Sequence, residues 1–202
     1  MPIARLPFLV LGLACGVVAS AASPLVPSLH LTAAEAQGDF REEMGSKVGQ
    51  GLGLSLTIPL TKTLSLRPSL SYQDFPTLNS QYTYKSSRYS DRGQEISHWS
   101  AWSYGADCLY HPSGPEGHFY ILTGVALKVW KLHGFGTYSS STTGNPTRNY
   151  SVDDTSSKNE PAVAVGLGFT FNRHISFEAR SVLASYRSLS YNTVELALVL
   201  SY

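Results

Sequence analysis

Thr193-Val194-Glu195-Leu196-Ala197-Leu198-Val199-Leu200-Ser201-Tyr202 is the stretch that decides the fold. Val194, Leu196, Leu198, Leu200 and Tyr202 take alternate positions and form one apolar face. Thr193, Glu195, Ala197 and Ser201 form the other. Strict period-two alternation describes a strand whose faces meet different surroundings.

The same pattern recurs toward the N-terminus. Val163, Val165, Leu167, Phe169 and Phe171 alternate with Ala164, Gly166, Gly168 and Thr170. Asn172-Arg173-His174 then turns the chain into Ile175, Phe177 and Leu183, opposite Glu178 and Arg180. Phe119, Ile121, Val125, Leu127 and Val129 oppose Gly124, Ala126 and Lys128. Trp102, Tyr104, Ala106, Cys108 and Tyr110 oppose Ser103, Gly105 and Asp107. Leu64, Leu66, Leu70 and Tyr72 oppose Ser65, Arg67, Ser69 and Ser71, and the even positions from Val48 to Leu60 oppose Gly49, Gly51, Gly53, Ser55 and Thr57. An eighth strand is expected at 24–33, where Leu25, Leu29 and Leu31 share a face. A bacterial single-chain barrel needs an even strand count, which this strand supplies.

Connections alternate in length. Residues 61–63, 112–117 and 172–174 make short turns. Residues 75–95 and 133–159 read as long polar loops, with 34–46 intermediate and 187–190 short. Short turns on one side and long loops on the other suit an up-and-down barrel in the outer membrane.

Composition narrows the class. The chain has 202 residues, 15 Lys+Arg against 14 Asp+Glu, and only 14% charged residues. A near-zero balance argues against nucleic acid as partner. No apolar run is long enough for a helical span. Arg5, the apolar run Leu6 to Val18 and the small residues Ala19 to Ala22 form a secretory signal peptide. Cleavage is expected after Ala21 or Ala22, with Ala34-Glu35-Ala36 as a competing site. Residues 1–22 are thus the signal and 23–202 the barrel domain. Cys15 leaves with the signal, so Cys108 stands without a disulfide partner.

Both soluble and membrane barrels give each strand one apolar face. In a soluble lipocalin-like barrel it points inward and the exterior is charged. Here the polar face carries Gly, Ala, Ser and Thr with few charges, a poor soluble surface but a good filling for a narrow lumen. Arg67, Asp107, Lys128, Glu178, Arg180 and Glu195 all lie on that face. Three are basic and three acidic, so inside a barrel they are expected to pair and plug the lumen. Tyr72, Trp102, Tyr110, Phe119, Phe171 and Tyr202, near strand ends on the apolar face, fit interfacial girdles.

Five segments carry a family resemblance: 51–56, 64–72, 104–110, 166–169 and 198–202. With them the chain resembles the small outer-membrane β-barrel proteins of Gram-negative bacteria, the group around the OmpA transmembrane domain and OmpX. The resemblance covers about residues 24 to 202. It implies outer-membrane localisation, contact with outer-membrane lipid and lipopolysaccharide, passage with periplasmic chaperones, and insertion by the outer-membrane insertion machinery. Val194, Leu196, Leu198, Leu200 and the terminal Tyr202 look like the signal that machinery reads. The group brings no shared catalytic residues and no cofactor.

His98-Trp99-Ser100 is similar to the His-x-Ser pair of lipid A deacylases, where the His serves as general base, but no Glu stands at a matching position. The remaining histidines have no metal spacing. Asp153-Asp154 reads as a solvated loop face. Tyr82, Tyr84, Tyr89, Tyr138 and Tyr150 fall in the two long loops, among Ser and Thr, which suits a contact surface. The expectation is therefore a non-enzymatic, closed, antiparallel eight-stranded transmembrane β-barrel with a plugged polar lumen. Its role is structural or in surface interaction. A narrow porin-like channel, a lipid A hydrolase and a soluble lipocalin-like barrel are the alternatives.

Overall fold

The computed structural model describes residues 25–202 apart from 45–46, 87, 115–117, 144 and 187–188. The expected signal segment, 1–22, lies outside the described residues. Ten strands and one short helix follow in order: β1 (Val26–Gln37), α1 (Asp39–Met44), β2 (Val48–Pro59), β3 (Leu64–Asp74), β4 (Leu78–Lys85), β5 (Tyr89–Tyr110), β6 (Phe119–Thr142), β7 (Arg148–Asn172), β8 (Ile175–Tyr186), β9 (Leu189–Ser190) and β10 (Asn192–Ser201).

Eight of these form an antiparallel ring. β1, β2, β3, β5, β6, β7, β8 and β10 pair in that order, and β10 also pairs with β1. The expected eighth strand exists as β1, which continues past the expected residue 33 to Gln37 and pairs with β10 from Ser28 opposite Ser201 to Gln37 opposite Asn192. Each ladder bonds to the next, so backbone N–H and C=O groups find partners all the way round.

Burial follows the parity of the sequence. Leu54, Val125, Leu167 and Leu196 are exposed on the outside, while Arg67, Lys128, Glu178 and Glu195 are buried inside. One position departs. Ile58 shares sequence parity with Leu52 and Leu54 but is fully buried. The β2–β3 ladder is interrupted between Ser55–Ser69 and Ile58–Leu66, opposite Arg67 and Pro68, and resumes in the same register. Pro68 has no N–H to donate to that ladder.

The two expected long loops are instead strands. β5, β6 and β7 continue well beyond the ring, and β4 lines the same side of β5, which makes a four-stranded extension capped by tight hairpins. Polar residues on both faces remove the apolar alternation by which strands are read, yet the ladder itself carries on. The 34–46 connection likewise holds the end of β1 and then α1. Gly38, at φ 60°, turns the chain into α1 in a conformation that other residues avoid.

The interior has three layers. Leu109, Tyr120 and Leu122 pack together at the short-turn end. Charged residues fill the middle. At the extension end Phe40 of α1 enters the ring and meets Phe75, Trp99, Trp130 and Tyr191, with ring centroids 4.8–5.6 Å from its own. Edge-to-face contacts at these distances are favourable beyond the area they bury.

Candidate functional site: the charged lumen and the outer rim

The middle layer grows from strand parity. Arg67 on β3 stands directly opposite Asp107 on β5, and Glu195 on β10 opposite Arg180 on β8. The Arg67 Nη2 group donates to Asp107 Oδ2 at 3.0 Å and to Glu178 Oε2 at 2.9 Å; Nη1 donates to Glu178 Oε1. The guanidinium fork thus grips both oxygens of one carboxylate, the strongest geometry for such a pair. The Tyr120 hydroxyl also donates to Glu178.

A second knot forms around Glu195. Its Oε1 accepts from Lys128 at 3.0 Å, Gln73 at 2.8 Å and Thr193 at 3.0 Å. Its Oε2 accepts from Arg180 at 2.7 Å. Arg180 also faces Asp107 at 3.7 Å, which ties the two knots into one. The arrangement brings all six charged positions together as three cations with three carboxylates. Buried charges are tolerable only when paired and hydrogen-bonded in this way.

Gln73, Thr193 and Tyr120 belong to this network and went unread in the sequence. Their signal was parity alone: each falls on the inward face of its strand. His30 and Ser55, joined at 2.6 Å, and the fully buried Glu160 sit on the inward face too. Between the knots lies a cavity of about 20 Å³, bordered by Ser69, Ser71, Ser103 and Ala126, room for about one water molecule.

The remaining candidate residues lie outside the ring or in the extension. Val194, Leu196 and Tyr202 are exposed on the outward face of β10, with Leu198 and Leu200 half-buried beside them. Trp102, Tyr110, Phe119, Phe171 and Tyr202 are also exposed outward. His98 and Ser100 share the outward face of β5, and Trp99 between them points into the ring. His98 has an acid partner, but from β3: its Nε2 lies 3.0 Å from Asp74. Asp74 stands opposite Ser100. Among the described residues no hydrogen bond joins His98 to Ser100.

Asp153 pairs with His133 at 3.0 Å, and no cluster of metal-ligating side chains occurs among the described residues. Tyr82, Tyr138 and Tyr150 are strand residues of the extension, not loop residues. They stand in one row with Gly93 between Tyr82 and Tyr138. Tyr138 stacks on Tyr150 with centroids 5.1 Å apart. A side chain at Gly93 would collide with the Tyr82 ring.

No protein-family model and no curated protein matches the chain. Solved structures do. Ail, the attachment invasion locus protein of Yersinia pestis, in complex with the heparin analogue sucrose octasulfate, aligns at a TM-score of 0.51 with 12% identity, over 88% of this chain and 97% of that one. Ail crystallised alone aligns at 0.49 with 13% identity over the same shares. The N-terminal β-barrel domain of Pseudomonas aeruginosa OprF aligns at 0.41 with 12% identity, over 88% and 97%. At such identity the likeness to Ail is one of fold.

Proposed function

We propose that the chain is an integral outer-membrane β-barrel protein. Its ring sits in the lipid, its lumen is plugged by the paired charges, and its extension meets the cell exterior. One observation carries this reading: the solvation pattern is inverted. Val125 is 65% exposed and Leu196 59% exposed, while Lys128 is 2% and Glu195 0% exposed. A water-soluble barrel would place those groups the other way round. A ring satisfies every backbone group internally, as lipid demands.

The partners that follow are outer-membrane lipid and lipopolysaccharide around the ring, with periplasmic chaperones and the insertion machinery in transit. The role is non-enzymatic: support of the envelope or contact at the surface. Fractionation of expressing cells, followed by gel mobility with and without boiling, tests the reading. The protein is expected in the outer membrane, folded in mild SDS and shifted by heat. Recovery as a soluble periplasmic protein without a shift overturns it. Planar-bilayer recordings then separate the plugged barrel, which passes little steady current, from a narrow channel.

A hydrolase is the second reading, favoured by the Asp74–His98 contact beside Ser100. An acid that orients a histidine next to a hydroxyl is the layout of an activated nucleophile. Release of fatty acid from lipid A by the purified protein, abolished in Ser100→Ala, would establish it.

A further inference from the structure

The outward face of the extension carries a polar cleft of about 520 Å³, within the size range of small-ligand sites. Cross-strand register builds it. Gln94, Thr137 and Ser151 form one row, and Arg92, Ser139 and Asn149 form a row two residues farther along. Between the rows, Gly93, Tyr138 and Tyr150 line the floor, and register turns the rings of Tyr82 and Tyr138 to the side that a Gly93 side chain would occupy, opposite to Arg92 and Gln94.

The chemistry of these side chains is selective. Amides and hydroxyls each donate and accept, which matches the adjacent hydroxyls of a sugar ring. Among the described residues Arg92 makes no ion pair or side-chain hydrogen bond, and it is exposed, so its fork is free for a planar anion. No carboxylate lines the cleft. Asp153, on the same face, lies outside it and is engaged by His133. No aliphatic side chain lines it either, apart from the Thr137 methyl. A single cation cannot neutralise a heavily sulfated chain.

We propose that this cleft binds an acidic sugar residue bearing one carboxylate, of the uronic- or sialic-acid type. Arg92 takes the carboxylate, and Gln94, Ser139, Asn149 and Ser151 take the hydroxyls. The cleft's place at the cell surface rests on the membrane reading above; its ligand chemistry does not.

The test uses the mature chain in lipid nanodiscs, with amide chemical shifts followed during titration with N-acetylneuraminic acid, glucuronic acid, glucose and sucrose octasulfate. Acidic sugars are expected to move resonances of residues 92–94, 137–139 and 149–151. Arg92→Gln is expected to weaken them about ten-fold, the loss of one charge-assisted contact, and to leave glucose unchanged. Asn149→Ala is expected to weaken both classes. Arg92 is exposed and unpartnered, so an unaltered spectrum elsewhere checks that the variant folds. The proposal is overturned if no acidic sugar shifts these amides at tens of millimolar. It is equally overturned if sucrose octasulfate outcompetes them independently of Arg92. Binding by a protein that nonetheless fractionates as soluble would sink the membrane reading alone.

Discussion

Arg180 and Glu195 stand directly opposite one another on β8 and β10, and their side chains meet at 2.7 Å inside the ring. β10 is the strand that pairs with β1, so this contact lies one ladder away from the seam where the last strand meets the first. The carboxylate that Arg180 holds is also the one that Lys128 reaches from β6. One buried side chain on the closing strand therefore gathers cations from two others.

Removing Glu195 should be costly. Glu195→Ala leaves Lys128 without its carboxylate and Arg180 with only the longer contact to Asp107. Breaking a buried pair from one side costs about 3–5 kcal/mol. Urea unfolding in lipid vesicles should show a loss of that order. Lys128→Met combined with Glu195→Leu should lose less than the two single changes summed, because Lys128 is then not left without its carboxylate, although Arg180 keeps only Asp107. Strict additivity would mean the pair is not coupled.

Gly168 lies beneath the Tyr120 ring, and an added Cβ there would stand inside it. Tyr120 is buried and bonded to Glu178, so it cannot swing aside without leaving a carboxylate oxygen short of a donor. Gly168→Ala should destabilise by about 1–3 kcal/mol, as overpacking does. The double variant with Tyr120→Leu should recover part of the loss, read by the same urea midpoints.

Asp39 ties α1 to the rim. Its carboxylate accepts the Ser190 amide N–H at 2.7 Å and the Ser190 hydroxyl at 3.0 Å. The amide bond first, then the hydroxyl, hold its pKa below the ordinary 3.8. A lowered carboxylate pKa gives stability that is present above the ordinary value and lost as pH falls through the lowered one. The docking of α1 should thus hold at neutral pH and weaken only below about pH 4. Phe40 would then leave Trp99 and Trp130, so tryptophan emission should shift to the red in acid. In Asp39→Asn the shift should be present already at pH 7, or the transition should flatten. A wild-type transition left intact in that variant would assign the titration to another group.

Leu196→Arg tests the solvent outside the ring. In lipid, an arginine on that face costs about 2–4 kcal/mol near the bilayer midplane. In water the same exposed position would tolerate it with little change. Unfolding in vesicles should therefore show a clear loss, and an unchanged midpoint would speak against lipid contact.

Tyr202 is 76% exposed, and its backbone N–H bonds to Pro27. Its side chain adds little packing to the fold. Deleting it should leave refolding in detergent, seen by gel shift, close to wild type. If Tyr202 is read by the insertion machinery, its outer-membrane level in cells should fall. Equal loss in both assays would make it a stability residue instead.

Much of this architecture is legible because a strand has a period of two. Val194 to Tyr202, or Gly166 to Phe171, can satisfy their alternation only as strands with unlike faces. What is not legible has a physical cause in each case. The extension of β6 and β7 past Lys131 carries only scattered apolar residues, such as Phe135 and Val152, among polar ones on both faces, and a hydrophobic period cannot mark it. α1 is six residues long, shorter than two helical turns, so no 3.6-residue stripe betrays it. Phe40 is a lone aromatic in a connection otherwise rich in polar residues, and nothing local marks that it is fully buried. Gln73 and Thr193 carry no charge, and nothing local distinguishes them from the solvated polar residues of other strands.

The amino-acid sequence by itself determined that the chain is built of two-faced strands and, Ile58 apart, which side chains share each face, because Cβ atoms alternate along a strand. It also determined that Arg67, Asp107, Lys128, Glu178, Arg180 and Glu195 lie on the less apolar face. Only the tertiary structure decided that this face turns inward, since either orientation satisfies the same alternation. It decided the partners as well. The pairing of β10 with both β8 and β1 brings Glu195 within reach of Arg180 and Lys128, a choice made by register across strands far apart in the chain.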